Sequence, residues 1–184
     1  MRILSGSVRG KKLLSPDDLP LRPTSNKVRA AIFNIIRFQI PGSHFLDLFA
    51  GTGAVGLNAL SEGASSVTFV EKNWKCIHAI EKNIVLSHFE TKARIVKEPV
   101  ERFFQWESLE KYNFIFLDPP YDFEFDQYSA LLVSMHSKIN KSALIILEHT
   151  SRSDFFGLAS EIGFDYQEKH YGKIKLSMFR TNEN

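Results

Sequence analysis

Asp118-Pro119-Pro120-Tyr121 brings a carboxylate, two rigid prolines and an aromatic ring together in four consecutive residues. An amine on an aromatic base is a poor nucleophile, because its lone pair is delocalised into the ring. A carboxylate and a neighbouring carbonyl can accept its two N–H bonds and localise that lone pair toward an electrophile. Asp118 and the Pro119 carbonyl are the two acceptors, and the prolines hold the backbone that carries them. Tyr121 can lie against the face of the base, where stacking contributes on the order of 1 to 3 kcal/mol. These four residues are the candidate catalytic set. The same tetrapeptide would also serve as a plain strand exit, since Asp-Pro and Pro-Pro both start turns. Its neighbours must decide between the two. A working pocket of this kind admits only an unstacked nucleotide, either single-stranded or flipped out.

The second cluster is Asp47-Leu48-Phe49-Ala50-Gly51-Thr52-Gly53-Ala54-Val55-Gly56, three glycines between an apolar run and a helical stretch. Glycine is needed where a backbone turns tightly and approaches a ligand without a side chain in the way. Glu71 lies twenty residues after Gly51, at the end of the next apolar run, where a carboxylate can accept hydrogen bonds from ribose hydroxyls. The candidate cofactor residues of this stretch are Asp47, Phe49, Gly51, Thr52, Gly53, Glu71 and Lys72. The spacing alone also fits a nicotinamide dinucleotide. Asp47 separates the two, because a carboxylate facing the pocket repels a pyrophosphate and attracts the ammonium and sulfonium charges of S-adenosylmethionine. Its other reading is an acid that orders the loop by binding nearby backbone amides.

The elements that would position these residues alternate. Phe45 to Phe49, Val67 to Val70, Arg94 to Lys97, Phe114 to Leu117 and Leu144 to Leu147 read as strands separated by helical stretches, which implies a parallel sheet covered on both faces. Such strands place Asp47, Glu71 and Asp118 at their carboxyl ends, where open α/β sheets bind ligands. Ile174, Leu176 and Met178 alternate with Lys173, Lys175 and Ser177 after Gly172, as in an antiparallel strand returning from Phe164 to Tyr171. Upstream, Arg2 to Leu14 reads as a short strand pair and Pro16 to Pro23 as a loop. Thr24 or Ser25 caps a helix whose apolar positions Val28, Ala31, Ile32, Ile35 and Ile36 share a face, and Pro41-Gly42 ends it. Residues 1 to 40 are thus expected to form a basic extension and 41 to 184 a single cofactor-binding domain.

With 184 residues and 43% apolar content, the chain can build one sizeable core. Cys76 is its single cysteine, so no internal disulfide is possible. Met1 to Lys12 lacks the apolar region of a signal peptide, and no run reaches the length of a membrane span. A soluble, cytoplasmic, monomeric protein is expected. The net charge is only +2, but Met1 to Arg37 holds eight Lys or Arg against two acids. Arg9, Lys11, Lys12, Arg22, Lys27 and Arg29 are the candidate phosphate contacts of that segment. The six histidines show no metal-ligand spacing, so no metal is expected. Cys76 reads as an inert thiol, Trp74 as a core or adenine-pocket aromatic, and Phe123 and Phe125 as a lid or the start of a helix.

Taken together, these stretches resemble the class I S-adenosylmethionine-dependent methyltransferases. Over nearly the whole chain they are similar to the RsmD family, which methylates the guanine exocyclic N2 amine in small-subunit (16S) ribosomal RNA. The resemblance rests on Arg2 to Gly6 with Arg9 to Leu13, Arg22-Pro23-Thr24 with Lys27-Val28-Arg29, Asp47 to Gly56, Glu71, and Asp118 to Tyr121. It implies a Rossmann-like sheet of seven strands, mostly parallel, with a terminal antiparallel hairpin. It also implies Gly51, Gly53 and Glu71 at the cofactor, Asp118, Pro119 and Tyr121 at the base, and Arg22, Thr24 and Arg29 at the rim or the RNA. The substrate would be 16S ribosomal RNA within an assembling small subunit. One stretch departs from the family pattern: Lys97-Glu98-Pro99-Val100 stands where an acid or amide beside a small residue usually reads adenine. Adenine recognition would then fall to the backbone of Val100, with Glu98 nearby. Three alternatives stay open at this stage: methylation of an adenine or cytosine amine in DNA, a dinucleotide-dependent oxidoreductase, and a non-catalytic RNA-binding module.

Overall fold

The computed structural model describes residues 1–16, 24–120, 122–150 and 154–181. The apolar runs form five parallel strands: β1 (His44–Leu48), β2 (Ser66–Val70), β3 (Ala93–Val96), β4 (Phe114–Leu117) and β5 (Leu144–His149). A terminal hairpin adds β6 (Phe164–Tyr171) and β7 (Ile174–Thr181), with β7 antiparallel to both of its neighbours. Among the described residues the sheet has seven strands in the order β3-β2-β1-β4-β5-β7-β6. The mostly parallel sheet with an antiparallel end is the one the sequence pattern predicts.

Helices α1 (Asn26–Ile36), α2 (Ala54–Ser61) and α3 (Trp74–Ser87) pack on one face, and α4 (Val100–Trp106), α5 (Phe125–His136) and α6 (Phe155–Ile162) on the other. Successive strand residues alternate between two cores: Phe45, Phe69, Phe114 and Ile146 on one side, Leu46, Val70, Ile115 and Leu147 on the other. Burial on both faces is why these runs are apolar without alternation. Gly56 lets α2 approach the sheet, since a Cβ there would fall 2.3 Å from the Phe69 ring.

Two local readings change and one that was open is resolved. Arg2 to Leu14 forms one antiparallel bridge, Arg2 to Lys12, rather than a strand pair. Around that bridge Ile3 N–H donates to the Lys11 carbonyl and Leu13 N–H to the Met1 carbonyl, both at 3.0 Å, and α2 holds the segment further: Leu4 N–H donates to Asn58 Oδ1 at 2.8 Å, Ser7 N–H to the Ser61 carbonyl at 2.8 Å and Val8 N–H to Ser61 Oγ at 3.1 Å. Gly6 permits this, because its φ is +81° and a Cβ would lie 1.9 Å from the Ser61 carbonyl oxygen. Ser25, not Thr24, caps α1, its Oγ accepting from Val28 N–H at 3.2 Å. Finally, β5 runs two residues beyond Leu147, because β7 pairs Glu148 with Leu176 and His149 with Lys175.

Candidate active site

Strand order reverses between β1 and β4, since β2 and β3 follow β1 to one side while β5 lies beyond β4 on the other. A crevice opens at the carboxyl ends of the strands at such a point. It holds a cavity of about 370 Å³ that brings Asp47, Phe49, Gly51, Thr52, Glu71, Lys72 and Val100 together with Asp118, Pro119 and Pro120. Eight cofactor residues were expected here and seven line the cavity. Gly53 does not; it caps α2 at φ +76°, and a Cβ there would press on Ile80 at 3.2 Å and Phe69 at 3.3 Å. Tyr121, the stacking candidate, and Arg22 lie outside the described residues.

The glycine loop is held from three directions. Glu71 Oε2 accepts from Gly51 N–H at 2.8 Å, while its Oε1 accepts from Lys72 N–H at 2.9 Å and Asn73 N–H at 2.8 Å. The expected ribose acceptor therefore also ties the loop to β2. Asn83 on α3, fully buried, donates to the Thr52 carbonyl at 3.1 Å. Phe49 bends the chain out of β1 with φ +57°, a conformation costly for a non-glycine residue and held here by its ring packing on Phe123 at 5.5 Å.

Asp47 is 1% exposed, and its Oδ2 accepts from Gly56 N–H at 2.8 Å. It thus orders the loop and lines the cavity at once. Burial pushes its pKa well above the usual carboxylate range; the Gly56 bond opposes this, and the charges of Asp118 and Glu71 add to it. Five acidic residues line this cleft, Asp47, Glu71, Glu98, Glu101 and Asp118, which makes it a poor host for a pyrophosphate and a good one for a cation. Gly51, at φ +54° with open space where a Cβ would stand, leaves the loop face accessible. These features fit the sulfonium and ammonium charges of S-adenosylmethionine. Cys76 also lines the cavity, but burial and the Glu71 charge push its thiol up to about 11, so it stays protonated.

Asp118 follows β4 directly, and Thr24 Oγ1 donates to its Oδ2 at 3.1 Å. Thr24, expected at the rim or the RNA, is buried against Asp118, the acid expected at the base. The Pro120 carbonyl accepts from Phe123 N–H at 3.0 Å, which turns the chain toward α5. Val100 opens α4 and is buried, whereas Glu98 is engaged by Trp106 Nε1 at 2.7 Å and Arg102 Nε at 3.3 Å.

The cations divide. Arg9, Lys12 and Lys27 are exposed and Lys11 half-buried. Arg29 departs from its expected place at the phosphates: its side chain is fully buried, with Nη2 donating to the Arg2 carbonyl at 3.0 Å and Asn26 Oδ1 at 2.7 Å. It lies on the apolar face of α1, one position after Val28, so it joins α1 to the extension instead of reaching solvent. Lys27 lines an open groove between α1 and β6 with Lys169 and Tyr171.

Several residues near the site carry no local sequence signal. Asn83 also closes a pair of bonds with Leu14, accepting its N–H at 2.7 Å and donating to its carbonyl at 3.0 Å. It therefore links the extension to the glycine loop. A second cavity of about 170 Å³ shares Asp118 and Pro119 and adds Phe123, Tyr128, Glu148 and His149. Burial and the Asp118 charge push the Tyr128 phenol up to about 12, so it remains a hydrogen-bond donor. Burial lowers His149 to about 4 against the pull of Glu168, so its ring is neutral. Its Nε2 bonds Ser177 Oγ at 2.8 Å.

Residues 1–180 match the family model described as Conserved hypothetical protein 95. The chain is 32% identical over 150 residues to the Ribosomal RNA small subunit methyltransferase D of Haemophilus influenzae, spanning 80% of this chain and 78% of that protein. It is 36% identical over 121 residues to the Escherichia coli protein of the same name, spanning 66% and 60%. The solved structure of the Escherichia coli protein yhhF superposes with a TM-score of 0.84 at 27% identity, covering 100% of this chain and 99% of that one.

Proposed function

The chain belongs to the RsmD family of ribosomal RNA methyltransferases, and we propose that it methylates the exocyclic N2 amine of a guanine in 16S ribosomal RNA. Its sheet is the Rossmann-like class I methyltransferase fold. The observation that carries the reading is the acidic cleft at the strand switch, in which Asp47, Glu71 and Asp118 surround one cavity. Asp47, Gly51, Glu71 and Val100 would hold S-adenosylmethionine, which would supply an electrophilic methyl group on its sulfonium and leave as the neutral thioether.

The remaining chemistry belongs to the chain. Asp118 and the Pro119 carbonyl accept the two N–H bonds of the amine and turn its lone pair toward the methyl carbon. As the amine takes up the methyl group, its extra proton leaves along the hydrogen bond to Asp118. Thr24 holds the Asp118 carboxylate in place. Positioning supplies much of the rate. Arg9, Lys11, Lys12 and Lys27, with Arg22, contact the RNA phosphates, and the groove lined by Lys27 and Lys169 extends that path. The particle acted on is an assembling small subunit, met by a cytoplasmic monomer.

The test is to incubate the purified protein with labelled S-adenosylmethionine and, separately, unmodified small-subunit particles, naked ribosomal RNA and DNA, then identify the product nucleoside by mass spectrometry. N2-methylguanosine in ribosomal RNA is expected, lost in Asp118→Ala while that variant still binds the cofactor through Asp47 and Glu71. A methylated adenine or cytosine in DNA would overturn the substrate, and full activity in Asp118→Ala would remove the base pocket.

A further inference from the structure

Asp118 and Glu148 occupy matching places on neighbouring strands. The register pairs Leu117 of β4 with Leu147 of β5, so each acid stands one residue beyond that pair. Adjacent strands lie about 4.8 Å apart. Both acids line the cavity of about 170 Å³ behind Pro119, walled by Phe123 and Tyr128. Glu148 is 6% exposed and is kept on the sheet by its pairing with Leu176 of β7. Cofactor chemistry does not use it, as it lies outside the larger cavity.

Guanine presents adjacent donors on its Watson–Crick edge, the N2 amine and N1–H. Adenine and cytosine instead place an acceptor nitrogen beside their exocyclic amine. An acceptor-only carboxylate next to the amine site satisfies the first arrangement and repels the second. We infer that Glu148 is a specificity-determining residue whose carboxylate accepts N1–H of the target guanine and excludes adenine and cytosine from the pocket. This inference rests on the guanine-N2 reading above and adds the group that makes the choice.

The experiment uses small-subunit particles reconstituted with ribosomal RNA that carries guanosine, 2-aminopurine riboside or adenosine at the methylated position, once mapped. 2-Aminopurine keeps the 2-amine but offers an acceptor at N1. The wild type is expected to prefer guanosine over 2-aminopurine in kcat/KM on the order of 10²-fold or more, and Glu148→Ala to lose most of that preference through guanosine alone. Glu148→Gln, which can donate as well as accept, is expected to gain transfer to adenosine. S-adenosylmethionine affinity within about threefold of the wild type certifies the fold, and Glu148→Gln gives the reading where the alanine variant fails that check. If the wild type makes N2-methylguanosine and both variants keep its preference, Glu148 is not the reader. If the wild type makes no N2-methylguanosine, the function proposed above falls first and the Glu148 assignment with it.

Discussion

Replacing Asp47 by Asn should make the free protein more stable and cut the stabilisation it draws from the cofactor. In the free protein the carboxylate is 1% exposed, its bond to Gly56 offsets only part of the burial, and Asp118 and Glu71 repel it. Asparagine can offer its Oδ1 to Gly56 N–H in place of the carboxylate Oδ2, and removes the charge. Relieving an uncompensated buried charge is worth about 1 to 3 kcal/mol, or about 2 to 10 °C in Tm for a chain of this size. S-adenosylmethionine at 100 times its Kd stabilises the wild type by about 2.7 kcal/mol; a variant that binds about 100-fold more weakly gains only about 0.4 kcal/mol at that concentration. The cofactor should therefore raise the wild type by about 2.3 kcal/mol more than the variant, so the variant's lead in thermal melts should shrink by that amount when cofactor is added. The pH dependence has a fixed sign. A folded-state pKa raised above the ordinary value of 3.8 means that the folded state binds the proton more tightly. Wild-type stability relative to Asp47→Asn should accordingly rise as pH falls through that raised pKa, with the gain complete near 3.8. A variant that melts below the free wild type, or binds the cofactor equally well, would refute the assignment of Asp47 as the counter-charge.

Thr24→Val removes the 3.1 Å bond to Asp118 without changing shape, and kcat should fall about 10- to 100-fold with cofactor Kd unchanged, as measured by single-turnover transfer and calorimetry. Gly6→Ala drives a Cβ into the Ser61 carbonyl at a positive φ and should cost about 2 to 4 kcal/mol in denaturant melts. Glu168 is lowered to about 2: its own burial opposes this, but hydrogen bonds from Tyr166, Lys175 and His170 outweigh it. A depressed folded pKa gives stability that is present above the ordinary value of 4.5 and lost as pH falls toward 2, so Glu168→Gln should flatten the acid limb of the stability profile in that window.

What the sequence made legible follows from how local each constraint is. The glycine loop, Glu71 and the exit after Leu117 are local statements, because a turn type, a strand end or a pair of prolines is fixed by neighbours in the chain. Asn83 is different: an asparagine on a helix carries no sign of whether it faces solvent, and only the fold shows it meeting Leu14 and Thr52. Arg29 misleads for the opposite reason. Counted as a surface charge among basic neighbours, it falls on the buried face of α1 and meets a backbone carbonyl from the extension. Glu148 and His149 look like the polar end of a strand that stops at Leu147. They become part of β5 because β7, arriving from nearly thirty residues downstream, pairs with them, as Ser177 does with His149. The terminal hairpin therefore does more than cover a sheet edge. By extending β5 past the point where the apolar run ends, it carries a carboxylate to the level of Asp118. Weakening the β5 to β7 pairing should consequently alter base choice before it alters cofactor binding, because the larger cavity draws none of its walls from β5, β6 or β7.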